Sequence, residues 1–102
     1  MKFGLDAPII DSLHNVFARY PTVEQVKLFG SRASGTFRDG SDIDLAIIAP
    51  TMSDEEFTLL WDEVDELPIV FSIDLLHFDR LGNQALKASV LAEGVPFVKM
   101  VD

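Results

Sequence analysis

The chain has 102 residues, of which 48% are hydrophobic, which is apolar material for one core with no room for a second folded domain. Eight Lys and Arg stand against 17 Asp and Glu, a net charge of −9, so the overall field repels phosphate backbones and anionic lipid and argues against direct nucleic-acid binding. There is no cysteine for a disulfide, a thiolate metal site or a thiol nucleophile, and no apolar stretch nears the roughly 20 residues that span a bilayer. The start Met-Lys-Phe-Gly-Leu-Asp places an acid where a secretory leader would continue its apolar region. The expectation is one domain over residues 1–102, cytoplasmic and without a membrane segment.

Ile9, Leu13, Val16, Phe17 and Tyr20 recur at three- and four-residue steps behind Asp6 and Pro8, and Pro21 closes the segment, so a helix is expected first. Val23 to Phe29 is richer in β-branched residues and stops at Gly30-Ser31, which reads as a strand ending in a tight turn. After a polar, glycine-punctuated stretch, Ile43, Leu45, Ala46, Ile47 and Ile48 form an almost unbroken apolar run, the mark of a strand buried on both faces, ended by Pro50. Ser53 and Glu56 make a capping-box pattern, and Phe57, Leu60, Trp61, Val64 and Leu67 then give one apolar stripe along a helix. The rest of that helix carries Asp54, Glu55, Glu56, Asp62, Glu63, Asp65 and Glu66, read as a solvated face or a surface for a basic partner. Ile69 to Phe78 reads as a third strand, Asp79 as the cap of a helix running to Glu93, Gly94 as its stop, and Val95 to Val98 as a strand kept at an edge by Pro96.

These elements make an α/β sandwich, a small sheet with helices packed on it. The connection between the first two strands, about a dozen residues, is too short for an ordinary crossover helix. They are therefore either antiparallel or joined by a distorted turn of helix.

The chemistry concentrates between Gly30 and Asp44. Gly30 lets the backbone turn sharply and approach a ligand closely, and Ser31 sets a hydroxyl beside backbone N–H groups, one way of holding a phosphate. Asp42 and Asp44 lie two positions apart at the start of a strand, so both side chains take one face with Cα atoms about 6.6 Å apart. Two carboxylates at about 4 Å with an effective dielectric near 20 repel by ~4 kcal/mol, so a close pair calls for a cation or a proton. Oxygen ligands of this kind favour Mg²⁺ or Mn²⁺ over zinc. Asp74 interrupts the third strand among apolar neighbours, where an unpaired acid is costly to bury. If that strand lies beside the second, the three carboxylates meet on one sheet face, an arrangement suited to in-line attack at phosphorus.

The pattern Gly30-Ser31, ten residues, then Asp42-Ile43-Asp44 resembles the signature of the DNA-polymerase-β-like nucleotidyltransferase superfamily. The fuller string GSRASGTFRDGSDIDLAI is similar to its minimal nucleotidyltransferase branch, small prokaryotic proteins encoded beside a HEPN-domain protein. The resemblance implies a nucleotidyltransferase fold with a small mixed β-sheet flanked by helices. It also implies ATP as substrate, with Gly30 and Ser31 on its β- and γ-phosphates and Arg32 as a further phosphate contact. Asp42 and Asp44 would hold two Mg²⁺ ions, with Asp74 as third carboxylate and acceptor of the attacking hydroxyl's proton. Larger superfamily members add a helical domain, so a partner is expected to complete the site. In the branch, the partner is a HEPN toxin and the nucleotidyltransferase its antitoxin, transferring AMP to a partner tyrosine.

Two other functions fit the same residues: an antitoxin that neutralises its partner by binding alone, and a small-molecule nucleotidyltransferase with a partner-supplied acceptor pocket. Asp39 is expected to be a turn former. His14 and His77 lack the neighbours that a metal site requires. Trp61 and the phenylalanines at helical spacing are expected in the core.

Overall fold

The computed structural model describes residues 3–99. In chain order the elements are α1 (Ala7–Ala18), β1 (Gln25–Phe29), the short α2 (Ser31–Ser34), β2 (Ile43–Ile48), α3 (Asp54–Asp65), β3 (Ile73–His77), a 3-10 turn at Phe78–Arg80, α4 (Gln84–Glu93) and β4 (Val95–Lys99). The four strands form one mixed sheet in the order β3-β2-β1-β4. β1 runs antiparallel to β2 and to β4, while β2 and β3 are parallel. The connection from β1 to β2 thus combines both alternatives open in the sequence, an antiparallel pair with one turn of helix between its strands.

Alternation along the strands divides the sheet into two faces. Val26 and Leu28 of β1, Ile43, Leu45 and Ile47 of β2, and Leu75 of β3 are buried in one core with Leu13, Val16 and Phe17 of α1 and Leu60 and Val64 of α3. On this face Phe57 of α3 stacks on His77 with ring centroids 5.0 Å apart. Trp61 meets Phe57 edge-on and is half-buried against the core. α1 and α3 are joined at their outer ends by Glu63, which accepts hydrogen bonds from the Tyr20 hydroxyl and the Arg19 guanidinium. Burial and the neighbouring Glu63 push the Tyr20 phenol up to about 12. Among the described residues no helix is long and apolar enough to cross a membrane.

Several boundaries differ from the sequence expectation. β1 begins at Gln25 rather than Val23, since Val23 N–H turns back to the Tyr20 carbonyl. β3 begins at Ile73 rather than Ile69, because its ladder partner β2 begins at Ile43, opposite Ile73. β4 lies at the sheet edge as expected, with its register to β1 shifted between Val26 and Lys27, close to the Lys27–Pro96 pair. Gly94 ends α4 with an extended backbone rather than a left-handed one. It is small because a Cβ there would stand 2.3 Å from the Val90 carbonyl oxygen.

The largest correction concerns Asp79. It does not cap a helix: its carboxylate accepts a hydrogen bond from the Ala49 N–H at 2.7 Å, while His77 Nε2–H donates to the Ala49 carbonyl at 2.9 Å. Ala49, one residue past the end of β2, is thereby tied to the end of β3 and the turn after it. The helix starts at Gln84, capped by Asn83, whose side-chain oxygen accepts from Leu86 N–H at 3.0 Å. Asn83→Ala is expected to lower stability by about 1 kcal/mol, measured by urea unfolding.

Candidate active site

The site is built at the end of the sheet where β1 leaves and β2 and β3 enter. Phe29, the last residue of β1, pairs with Asp44 of β2, so the next residue, Gly30, falls beside that carboxylate. Gly30 has φ 75° and ψ −156°, a region that is essentially restricted to glycine. A Cβ on Gly30 would lie 2.6 Å from Asp44 Oδ2. The glycine is required twice over, by its backbone and by the acid against it. Its carbonyl then accepts from Ala33 and Ser34 N–H to form the single turn α2, which Gly35 closes with φ 83°. Ser31 opens that turn, and among the described residues its hydroxyl has no hydrogen-bond partner.

Asp44 and Asp74 are direct partners in the parallel β2–β3 ladder. Adjacent strands lie about 4.8 Å apart, and paired residues share a face, so the two carboxylates leave the sheet side by side. Asp42, two residues before Asp44, has the same parity. Asp44 and Asp74 take the face opposite the α1–α3 core, and Asp42, just ahead of β2, is near enough for its charge to act on Asp44. Asp44 is half-buried because β2 is an inner strand, whereas Asp42 and Asp74 are exposed. β3 is an edge strand, so the acid on it reaches water and the desolvation falls on its neighbour Asp44. Burial raises the Asp44 carboxyl above its ordinary value, and the charges of Asp74 and Asp42 raise it further.

That electrostatic coupling suits a hard divalent cation, which removes the repulsion that burial worsens. Among the described residues no three acidic, histidine or cysteine side chains already form a closed ligand set. The acids are neighbours in register and in charge.

Arg32 takes a different position from the acids. It is only 3% exposed. Its Nε and Nη2 donate to the Ser41 carbonyl at 3.1 and 2.8 Å, and its Nη1 donates to the Phe3 carbonyl at 3.0 Å. The guanidinium carbon lies 4.7 Å from the Phe71 ring centroid and 5.1 Å from that of Phe37. The loop before Asp42 is closed by a turn, with Ser41 N–H on the Arg38 carbonyl and Arg38 N–H on Ser41 Oγ. Asp39 sits within that turn, next to Gly40 with φ 82°. Phe3, Phe37, Ser41 and Phe71 carry no chemistry that reading the sequence singles out, because their importance rests on a shared contact between distant segments.

His14 and His77 serve the fold: His14 Nε2 bonds the Phe97 carbonyl at 3.0 Å, and His77 holds Ala49. A cavity of about 280 Å³ between the end of α3 and the approach to β3 is lined by Trp61, Leu67 and Phe71, among others. A second, of about 170 Å³, lies against Arg32, Phe37 and Phe71. Neither is lined by the three acids, which stand on an open face.

The family model described as "Polymerase beta, Nucleotidyltransferase" matches residues 11–100. The chain belongs to the polymerase-β nucleotidyltransferase family. A solved structure described as "Crystal structure of the toxin-antitoxin with AMP-PNP" shares this fold, with a TM-score of 0.71 and 22% identity over 88% of this chain and 73% of that one. No curated protein matches the chain. The glycine turn after β1 and the Asp44–Asp74 pair on β2 and β3 lie together at one end of the sheet.

Proposed function

We propose that this single-domain nucleotidyltransferase uses Mg²⁺ to transfer AMP from ATP to a tyrosine hydroxyl of a HEPN-type toxin, and so acts as its antitoxin. The observation that carries the reading is the Asp44–Asp74 pair in register, with Gly30 packed against Asp44. The toxin–antitoxin description of the structural neighbour, and the nucleotide analogue named with it, support a toxin partner and ATP.

In this reading Asp42, Asp44 and Asp74 hold the metal, and bound Mg²⁺ neutralises charge on the phosphates and on the attacking and leaving oxygens. Gly30 and Ser31 orient the β- and γ-phosphates with backbone N–H groups and the free Ser31 hydroxyl. The partner's hydroxyl oxygen attacks the α-phosphorus, the bond from that phosphorus to the bridging oxygen breaks, and pyrophosphate leaves. Asp74, exposed on the edge strand β3, accepts the hydroxyl proton. The open face above the acids suits a large acceptor, because a partner surface then closes the site and excludes water.

The test is to incubate the protein with its genomic neighbour and Mg²⁺, using ATP labelled in the α- or the γ-phosphate. Label on the neighbour from the α-position only is expected. No label, or label from the γ-position, overturns the proposal.

A further inference from the structure

The geometry points to Arg32 as a positioning residue that sets Asp42 against the Asp44–Asp74 pair, and not as a contact to the nucleotide. The inference rests on the reading of these acids as the transfer site. It assigns Arg32 a role different from the phosphate contact that resemblance implies.

Arg32 is buried, and its guanidinium spends donors on two backbone carbonyls while aromatic rings cover it. One of those carbonyls belongs to Ser41, the residue immediately before Asp42. One of the rings belongs to Phe71, the residue before Ser72, whose carbonyl accepts the Ile43 N–H at 2.8 Å. The guanidinium thus grips both chain segments two residues ahead of the point where they pair as β2 and β3. Asp42 lies between Ser41 and that joint, while Asp44 follows it on β2 and Asp74 on β3. The Phe3 carbonyl and the Phe37 ring hold the guanidinium from two further segments.

The chemistry favours arginine specifically. A planar fork places two N–H groups on one oxygen and a third on another while presenting two flat faces to rings. A lysine ammonium at this place keeps the charge but loses the fork and the stacking. Groups that orient metal ligands commonly change metal affinity or activity by about 10- to 100-fold when replaced.

The experiment compares wild type, Arg32→Lys and Phe37→Leu, each checked for a cooperative melt. The second variant loosens one ring and leaves the guanidinium in place, so it carries the test if Arg32→Lys does not fold. Three quantities are read: amide hydrogen exchange over residues 38–44 without metal, Mn²⁺ binding by calorimetry, and the kcat and KM for ATP in transfer. In Arg32→Lys we expect faster exchange at Asp42 to Asp44, Mn²⁺ bound about 10- to 100-fold more weakly, and a lower kcat with KM for ATP unchanged. Phe37→Leu moves in the same direction by less. Unchanged exchange in the folded variants, or a raised KM with kcat and Mn²⁺ affinity intact, overturns the inference. If wild type transfers nothing, the functional reading fails, while exchange over residues 38–44 still decides the positioning role.

Discussion

Gly30→Ala is expected to cut AMP transfer by about 100-fold and to lower stability by about 1–3 kcal/mol. Two physical effects act together. The alanine takes a backbone conformation with φ 75° and ψ −156° that a side chain disfavours, and its Cβ arrives 2.6 Å from Asp44 Oδ2. Either the carboxylate turns away or the strand end retreats, and each displaces the proposed metal ligand by a distance that matters for catalysis. Gly35→Ala separates the two effects. Its φ of 83° lies in the left-handed region, a milder strain for a side chain, and a Cβ there meets nothing within 4 Å. That variant is expected to lose about 1–2 kcal/mol in urea unfolding and to keep near-wild-type transfer once folded. Equal transfer losses in the two variants would mean that only folding, and not contact with Asp44, requires Gly30.

What the sequence makes legible here is local. The run Ile43–Ile48 reads as an inner strand because its composition reports burial on both faces, and the structure has it between β3 and β1. Gly30, Ser31, Asp42 and Asp44 are readable because turn chemistry and two-residue alternation fix their directions without any distant neighbour. Asp74 is readable as an anomaly, an acid in an apolar strand, yet the desolvation falls on Asp44. Which acid is dry depends on which strand is at the edge, and strand order is not a local property.

Asp79 shows the same limit. An aspartate before a helical stretch is a natural cap, but a backbone N–H at Ala49, on another element, competes for its carboxylate and wins. The cap passes to Asn83. Arg32 is the extreme case, since its partners Phe3, Phe37, Ser41 and Phe71 come from four places along the chain. Nothing about an arginine after Gly30-Ser31 tells whether it faces a phosphate or the protein's own carbonyls.

Asp44→Asn is expected to make the metal-free protein more stable at neutral pH while reducing transfer by about a thousandfold. The rate follows from losing a metal ligand: charge stabilisation by a bound ion is worth several kcal/mol, and each 1.36 kcal/mol is tenfold in rate. The stability gain follows from linkage. Burial, then the charges of Asp74 and Asp42, raise the Asp44 carboxyl in the fold above its unfolded value of 3.8. The folded state therefore holds the Asp44 proton more tightly than the unfolded chain does. Above the folded value the ionised side chain weakens the fold, and as pH falls toward 3.8 protonation removes that penalty. The advantage of asparagine is thus full at neutral pH and shrinks on acidification, which urea midpoints across that range will show. Mg²⁺ supplies the alternative relief, because an ion that binds only the folded wild type raises its midpoint with concentration. The asparagine variant is expected to respond much less. A variant less stable than wild type at neutral pH, or one whose advantage grows as pH falls, would remove the case for strain at this carboxylate. The expected pattern instead places the instability at the proposed metal ligand: Asp44 is half-buried and crowded by like charge, and a cation bound there as proposed relieves both.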